Sequence, residues 1–113
     1  MTTPDLFGED PDRALRAGWR DLVERCLPEA AAHRPDWPVH LDHCFARILL
    51  DAVHHRPWRE VVRPPAWANT DAARLAEAIR LGEAVLAGEA DLVALNDRSL
   101  ALRGKGTPPE RPR

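Results

Sequence analysis

The stretch Trp37-Pro38-Val39-His40-Leu41-Asp42-His43-Cys44-Phe45-Ala46-Arg47-Ile48-Leu49-Leu50-Asp51-Ala52-Val53-His54-His55 decides how the rest of the chain is read. Its apolar residues Leu41, Phe45, Ile48, Leu49 and Ala52 recur every three or four positions, the period of one helix face. A strand would need alternation at every second residue, which is absent. Pro38 suits the first turn of a helix, where its missing N–H is no loss, and Asp36 or Trp37 stands where the cap belongs. The sequence therefore predicts a helix from there to about residue 55, with Cys44 at the edge of the apolar face.

Outward from this segment the same period recurs. Upstream, Asp10-Pro11-Asp12 is a helix start, with Asp as cap and Pro as first helical residue. Leu15, Trp19, Leu22, Val23 and Cys26 follow on one face, and Asp12/Arg16 and Asp21/Arg25 are i,i+4 pairs in the favoured order. Pro28 lacks the N–H its turn needs, so a kink is expected there, with Ala30-Ala31-Ala32 extending the helix beyond it. Downstream, His55 to Asn69 contains Pro57, Pro64 and Pro65, each of which restricts the residue before it. A long irregular connection is expected, with one short turn around Trp58 to Val62. Thr70 reads as the cap of a third helix, with Asp71 in its first turn. Leu75, Ile79, Val85 and Leu86 form its stripe, and Gly88 is its stop. A fourth helix covers about 90 to 102, with Leu92, Leu95 and Leu102 facing inward and Gly104 ending it. The expected fold is all-α: a small four-helix bundle with a long Pro/Trp/Arg-rich connection between helices 2 and 3. Residues 1–9 read as a disordered acidic arm, 10–104 as a single helical domain and 105–113 as a disordered basic tail.

The whole chain has 113 residues, 44 % of them hydrophobic and 30 % charged. That suits one domain able to bury one core without a disulfide or metal staple. Cys26 and Cys44 form no CxxC and are expected as reduced thiols. There is no apolar run long enough to span a membrane, and residues 1–5 have no signal-sequence character, so the cytoplasm is the expected compartment. A net charge of −2 argues against a non-specific duplex binder. GxGxxG, GxxxxGK[ST] and GxSxG are all missing, and Ser99 is the only serine. Nucleotide hydrolysis and serine hydrolysis are therefore not expected.

Chemistry concentrates on the second helix. At about 100° per residue, His40, His43, Arg47, Asp51 and His54 lie within about 80° of one another, beside the apolar face. His and Asp move protons and hold metals near neutral pH, although an inert solvated helix face would look the same. A narrower reading takes His40, His43 and Cys44, at i, i+3 and i+4, as metal ligands. His54, about 21 Å from His40 along the helix, cannot join them. The connection supplies Arg56, Arg59 and Arg63 together with Trp58 and Trp67. Guanidinium groups grip phosphate or carboxylate and indoles stack on rings, while the plainer alternative is that both indoles plug the gap between helices. Trp37 reads as a staple onto the core and Trp19 as core. On the fourth helix Asn96, Ser99 and Arg103 share a face. Either they satisfy one another, or Asn96, Arg98 and Ser99 meet the polar stripe of the second helix across the bundle.

Leu41-Asp42-His43-Cys44-Phe45-Ala46-Arg47-Ile48, followed by Pro57-Trp58-Arg59-Glu60 and by Asn96-Asp97-Arg98-Ser99-Leu100 with Arg103-Gly104-Lys105, resembles a group of short uncharacterised microbial proteins over residues 37–105. Some of that group carry an acetyltransferase label. An acetyltransferase of the common acyl-CoA-binding type is a mixed α/β domain with a glycine-rich pyrophosphate loop, and neither strands nor that loop is legible here.

Three functional expectations follow from the residues. The first is a binding module for an anionic ligand, with nucleic acid as the leading candidate. In it Arg47, Arg56, Arg59 and Arg63 supply charge, Trp58 and Trp67 stack, and His40, His54, Asn96 and Arg103 line the site. The second is a small enzyme, metal-assisted or not, with His43 as general base or ligand, Asp51 orienting it and Arg47 holding an anionic substrate. The third is a homo-oligomer or partner-binding helical protein without a small ligand, joined through an apolar patch. The sequence names no cofactor.

Overall fold

Helix α1 (Pro11–Asp21) opens the computed structural model, which describes residues 11–104. The expected cap at Asp10, the acidic arm and the basic tail lie outside the described residues. At Pro28 the helix is met by a widened turn. Leu22–Cys26 is π-helical, and the Leu27 N–H bonds to the carbonyl of Leu22, five residues back. A proline in a regular helix removes one hydrogen bond and strikes the carbonyl four residues earlier; one extra residue in the turn eases the clash, while the missing donor stays missing. The helix then resumes as α2 (Leu27–Ala31).

The second expected helix starts later than its sequence suggests. It is α3 (Asp42–His54), with Leu41 as an extended N-cap residue at φ −107°, ψ 149°. Pro38 keeps the residue before it out of the helical region. Trp37 instead turns into the core, 6 % exposed, edge-on to Phe45 with ring centroids 5.8 Å apart. The chain is therefore anchored at Trp37 before the helix begins, and His40 precedes α3 rather than lying on it. Helix α3 ends where His55 adopts φ +60°, its N–H bonded to the Asp51 carbonyl.

The connection holds a 3-10 turn (Trp58–Glu60) and, unexpectedly, a short helix α4 (Ala66–Asn69). Arg16 reaches across from α1 and donates through Nη1 to the carbonyls of Trp67 and Thr70, 2.9 Å each. It thereby satisfies carbonyls at the end of α4 that have no partner within so short a helix. Asp71, not Thr70, caps α5 (Ala72–Leu86): its carboxylate accepts the Arg74 N–H at 3.0 Å. Asp is the stronger cap. Thr70 is buried, and its hydroxyl has no partner among the described residues. Gly88, at φ +79°, ends α5 as expected. The Glu89 N–H bonds to Ala84 at 2.8 Å and the Gly88 N–H to Val85 at 3.1 Å, a Schellman turn. Asp91, accepting from the Ala94 N–H at 3.1 Å, caps α6 (Leu92–Leu102). Among the described residues there is no strand, and no helix is long and apolar enough to cross a membrane.

Helix α3 is the centre of the packing, with α5, α6 and the π-helical turn around it. Phe45, Ile48, Leu49, Leu50 and Val53 are all buried, so most of its circumference is covered. The single face read from the sequence was too narrow, and Leu41, at its edge, is exposed. Toward α5 the interface is dry: Leu49 shares one buried core with Leu75, Ala78 and Val85, and Gly82 of α5 lies beside it. Gly82 is needed for this approach: a Cβ there would sit 2.6 Å from Leu22 Cδ2 and 3.1 Å from Leu49 Cδ1. Toward α6 the chemistry changes. Leu92 is buried, but Leu95 and Leu102 are only half-buried, and the other residues that α6 buries are Asn96 and Ser99. Polar groups so placed need partners, and α3 supplies them.

Candidate functional site

Asp51 is shut off from solvent, 0 % exposed. A buried carboxylate is tolerated only with donors around it. Four are present. The Trp58 backbone N–H reaches Oδ1 at 2.8 Å and Arg103 Nη2 reaches Oδ1 at 3.0 Å, while Arg103 Nε and the Ser99 hydroxyl reach Oδ2 at 2.8 and 2.7 Å. A carboxylate offers about four lone-pair positions, so this one is full. Its hydrogen bond to Asp51 lifts the Arg103 guanidinium above its ordinary range, against the opposing effect of burial. The Ser99 oxygen in turn accepts Arg47 Nη1 at 2.8 Å, and Arg47 Nη2 donates to Asn96 Oδ1 at 2.9 Å. One hydrogen-bonded chain thus ties α3, α6 and the start of the connection together. It contains two guanidinium groups and one carboxylate, and among the described residues Arg47 bonds only to the neutral oxygens of Ser99 and Asn96. Of the two arrangements expected for the fourth helix, the crossing of the bundle is seen for Asn96 and Ser99, but Arg103 joins it in place of Arg98, whose guanidinium lies 3.4 Å from His55 Nδ1.

The outer side of this network is a cleft of about 240 Å³, lined by His43, Ala46, Arg47, Trp58, Arg59 and Arg103. No carboxylate among the described residues lines it. Arg47 and Arg103 each commit two N–H groups to the network and keep three others, since a guanidinium has five. Arg59 lies over the Trp58 ring, 4.9 Å from its centroid. His43 stands exposed at the rim, its Nδ1 3.6 Å from Asp42 Oδ1. The Asp51 bond to the Trp58 N–H holds the connection against α3, and so holds Trp58 and Arg59 at the cleft.

The remaining sequence candidates lie elsewhere. His40 is exposed ahead of α3. His54 donates through Nδ1 to the Leu50 carbonyl, 2.8 Å away. Arg56 pairs with Glu60 at 3.3 Å, outside the cleft lining. Arg63 is exposed, and its backbone carbonyl accepts the Asn69 side-chain amide at 2.8 Å. His40, His43 and Cys44 do not share a helix, and among the described residues no group of three His, Cys, Asp or Glu is placed to hold a metal ion. Cys26 and Cys44 are free and half-buried.

Trp67 is 39 % exposed and sits at a different cleft, of about 250 Å³, with Arg13, Arg16, Ala17 and Arg20. Arg20 lies 4.9 Å over its ring. This second cationic cleft escaped the sequence reading, which placed Arg16 only in a helical pair with Asp12. The available signal was Arg13, Arg16 and Arg20 at i, i+3 and i+7, one side of a helix. Comparison with known proteins finds no matching family model, no matching curated protein and no matching solved structure.

Proposed function

We propose that this protein is a small helical binding module for an anionic ligand, received where the Pro/Trp/Arg-rich connection meets the polar edge of α3. A nucleic-acid phosphate is the leading candidate for the anion. One observation carries this reading: three guanidinium groups line a cleft to which no carboxylate among the described residues contributes, and Arg47 among them bonds there to the neutral oxygens of Ser99 and Asn96. A partly buried cation without a counter-ion is costly, and a ligand anion there would gain charge-assisted, bidentate hydrogen bonds. Asp51 acts as a positioning residue that orients Arg103 and the backbone of Trp58. With its lone pairs occupied it has none to receive a substrate proton, so the geometry lends no support to a catalytic pairing of His43 with Asp51.

Titration calorimetry with inorganic pyrophosphate and with thymidine monophosphate tests the reading. Binding is expected at low salt and weakens as salt rises. Arg59→Ala, which removes an exposed side chain outside the buried network, weakens binding about tenfold and leaves the unfolding midpoint unchanged. Absence of binding by the unaltered protein at millimolar ligand and low salt overturns it.

A further inference from the structure

We infer, resting on the reading above, that the cleft of Arg47, Arg59 and Arg103 is one end of a longer groove, and that the groove holds single-stranded nucleic acid of about four nucleotides, the low end of the range for such sites. Three clefts join end to end. The first shares His43, Ala46 and Trp58 with a middle cleft of about 170 Å³, and the middle one shares Arg20 and Trp67 with the cleft of Arg13 and Arg16 on α1.

Both ends use the same device, an indole with a guanidinium over one face. Arg59 covers Trp58 and Arg20 covers Trp67, each at 4.9 Å. Trp58 is half-buried against the core and Trp67 is 39 % exposed; the part of each indole left open is a platform for a base, and the guanidinium is a contact for the phosphate beside it. The middle has a different character. Trp19, Val23 and Leu50 make it apolar, and its two acids are Glu24 and Asp42. A planar ring suits that lining and a phosphate does not. Cation, ring and cation in series match a strand of bases with phosphates spaced along it. An acidic peptide would match the ends but not the middle, and a lone phosphate would match one end only.

Much of the positive charge is available to a ligand. Arg13 makes no ion pair among the described residues, and neither do Arg47 and Arg59. Arg16 is drawn toward Asp12 at 3.8 Å and Arg20 toward Glu24 at 3.1 Å. The Glu24 pair is exposed at the groove, where solvent screens it and a phosphate can compete for the guanidinium.

The test is calorimetric titration of the whole protein with thymidine monophosphate and with oligothymidylates of two, four and eight nucleotides at low salt, with tryptophan fluorescence read in parallel. Affinity is expected to rise at least about tenfold from one to four nucleotides, then level off, with quenching as bases stack. Arg13→Ala/Arg20→Ala should bring the tetranucleotide down to the affinity of the mononucleotide and leave the mononucleotide unchanged. It should also flatten the slope of log affinity against log salt by about 0.7 per lost contact. Unchanged thermal unfolding shows that the variant is folded. Affinity independent of length, or a tetranucleotide indifferent to the double substitution, overturns the groove and leaves the anion cleft standing. Failure of every probe, pyrophosphate included, overturns both. Polyglutamate bound as tightly as the tetranucleotide, without quenching, overturns nucleic acid in favour of an acidic peptide.

Discussion

Helix α3 presents two unlike interfaces. Toward α5 it is dry, close and apolar, with Leu49 against Gly82. Toward α6 it is polar, with Arg47 and Asp51 bonded to Asn96, Ser99 and Arg103. The first draws stability from area and shape, without direction. The second is directional: both carboxylate oxygens of Asp51 are matched to donors, and a mismatch leaves a buried charge. The dry side should therefore tolerate a change of shape at constant volume, and the polar side should not tolerate even an isosteric change of donor for acceptor. That difference also locates function. A dry interface offers a ligand no directed polar groups, whereas the polar one holds guanidinium groups in fixed directions at its open edge.

Chemical denaturation can break the comparison or sharpen it. The largest loss is expected for Arg103→Met, which keeps the stem and strips two donors from buried Asp51: about 4 kcal/mol, within the range for breaking a buried pair. Adding Asp51→Leu should recover at least half of that, because the pair then leaves no bare charge. A double variant as unstable as the single one would show that the carboxylate is not the source of the penalty. Leu49→Ala opens a cavity on the dry side and should lose about 3 kcal/mol.

Near-isosteric swaps give the sharper contrast. Asp51→Asn turns one acceptor into a donor facing other donors, and about 2 kcal/mol should be lost. Leu49→Met conserves volume and should lose less than about 1.5 kcal/mol. Should the methionine variant prove the less stable of these two, the distinction between the interfaces fails. The smallest effect is Gly82→Ala. Its overpacking against Leu22 opposes a gain in helix propensity of about 1 kcal/mol, and the net should be a loss of about 1 kcal/mol.

Local pattern was legible wherever the deciding interactions span a few residues. The apolar period of α3, the Gly88 stop and the helical character of α5 and α6 all depend on neighbours within about one turn. Pattern misled where a more distant contact decided. Pro38 looks like a first helical residue, yet the packing of Trp37 on Phe45 delays the helix to Asp42 and strands His40. Thr70 looks like a cap, yet it is buried and the neighbouring Asp71 takes the role. At the site, the stripe of Arg47 and Asp51 was visible from its spacing, as was the shared face of Asn96, Ser99 and Arg103. Their union was one of two alternatives. The spacing of Arg13, Arg16 and Arg20 put them on one side of a helix, but their meeting with Trp67 was invisible, because arginines on one helix say nothing about an indole some fifty residues later.

The amino-acid order alone settled that the described chain is helical and which residues carry charge and rings, because the 3–4 period and the caps act between near neighbours. Only the tertiary structure decided which of those residues meet. Arg47 and Ser99 are 52 positions apart, and Asp51 and Arg103 are equally distant. Such pairs are chosen by how α6 docks on α3, a packing event that no local propensity encodes. The open cationic edge is a product of that docking.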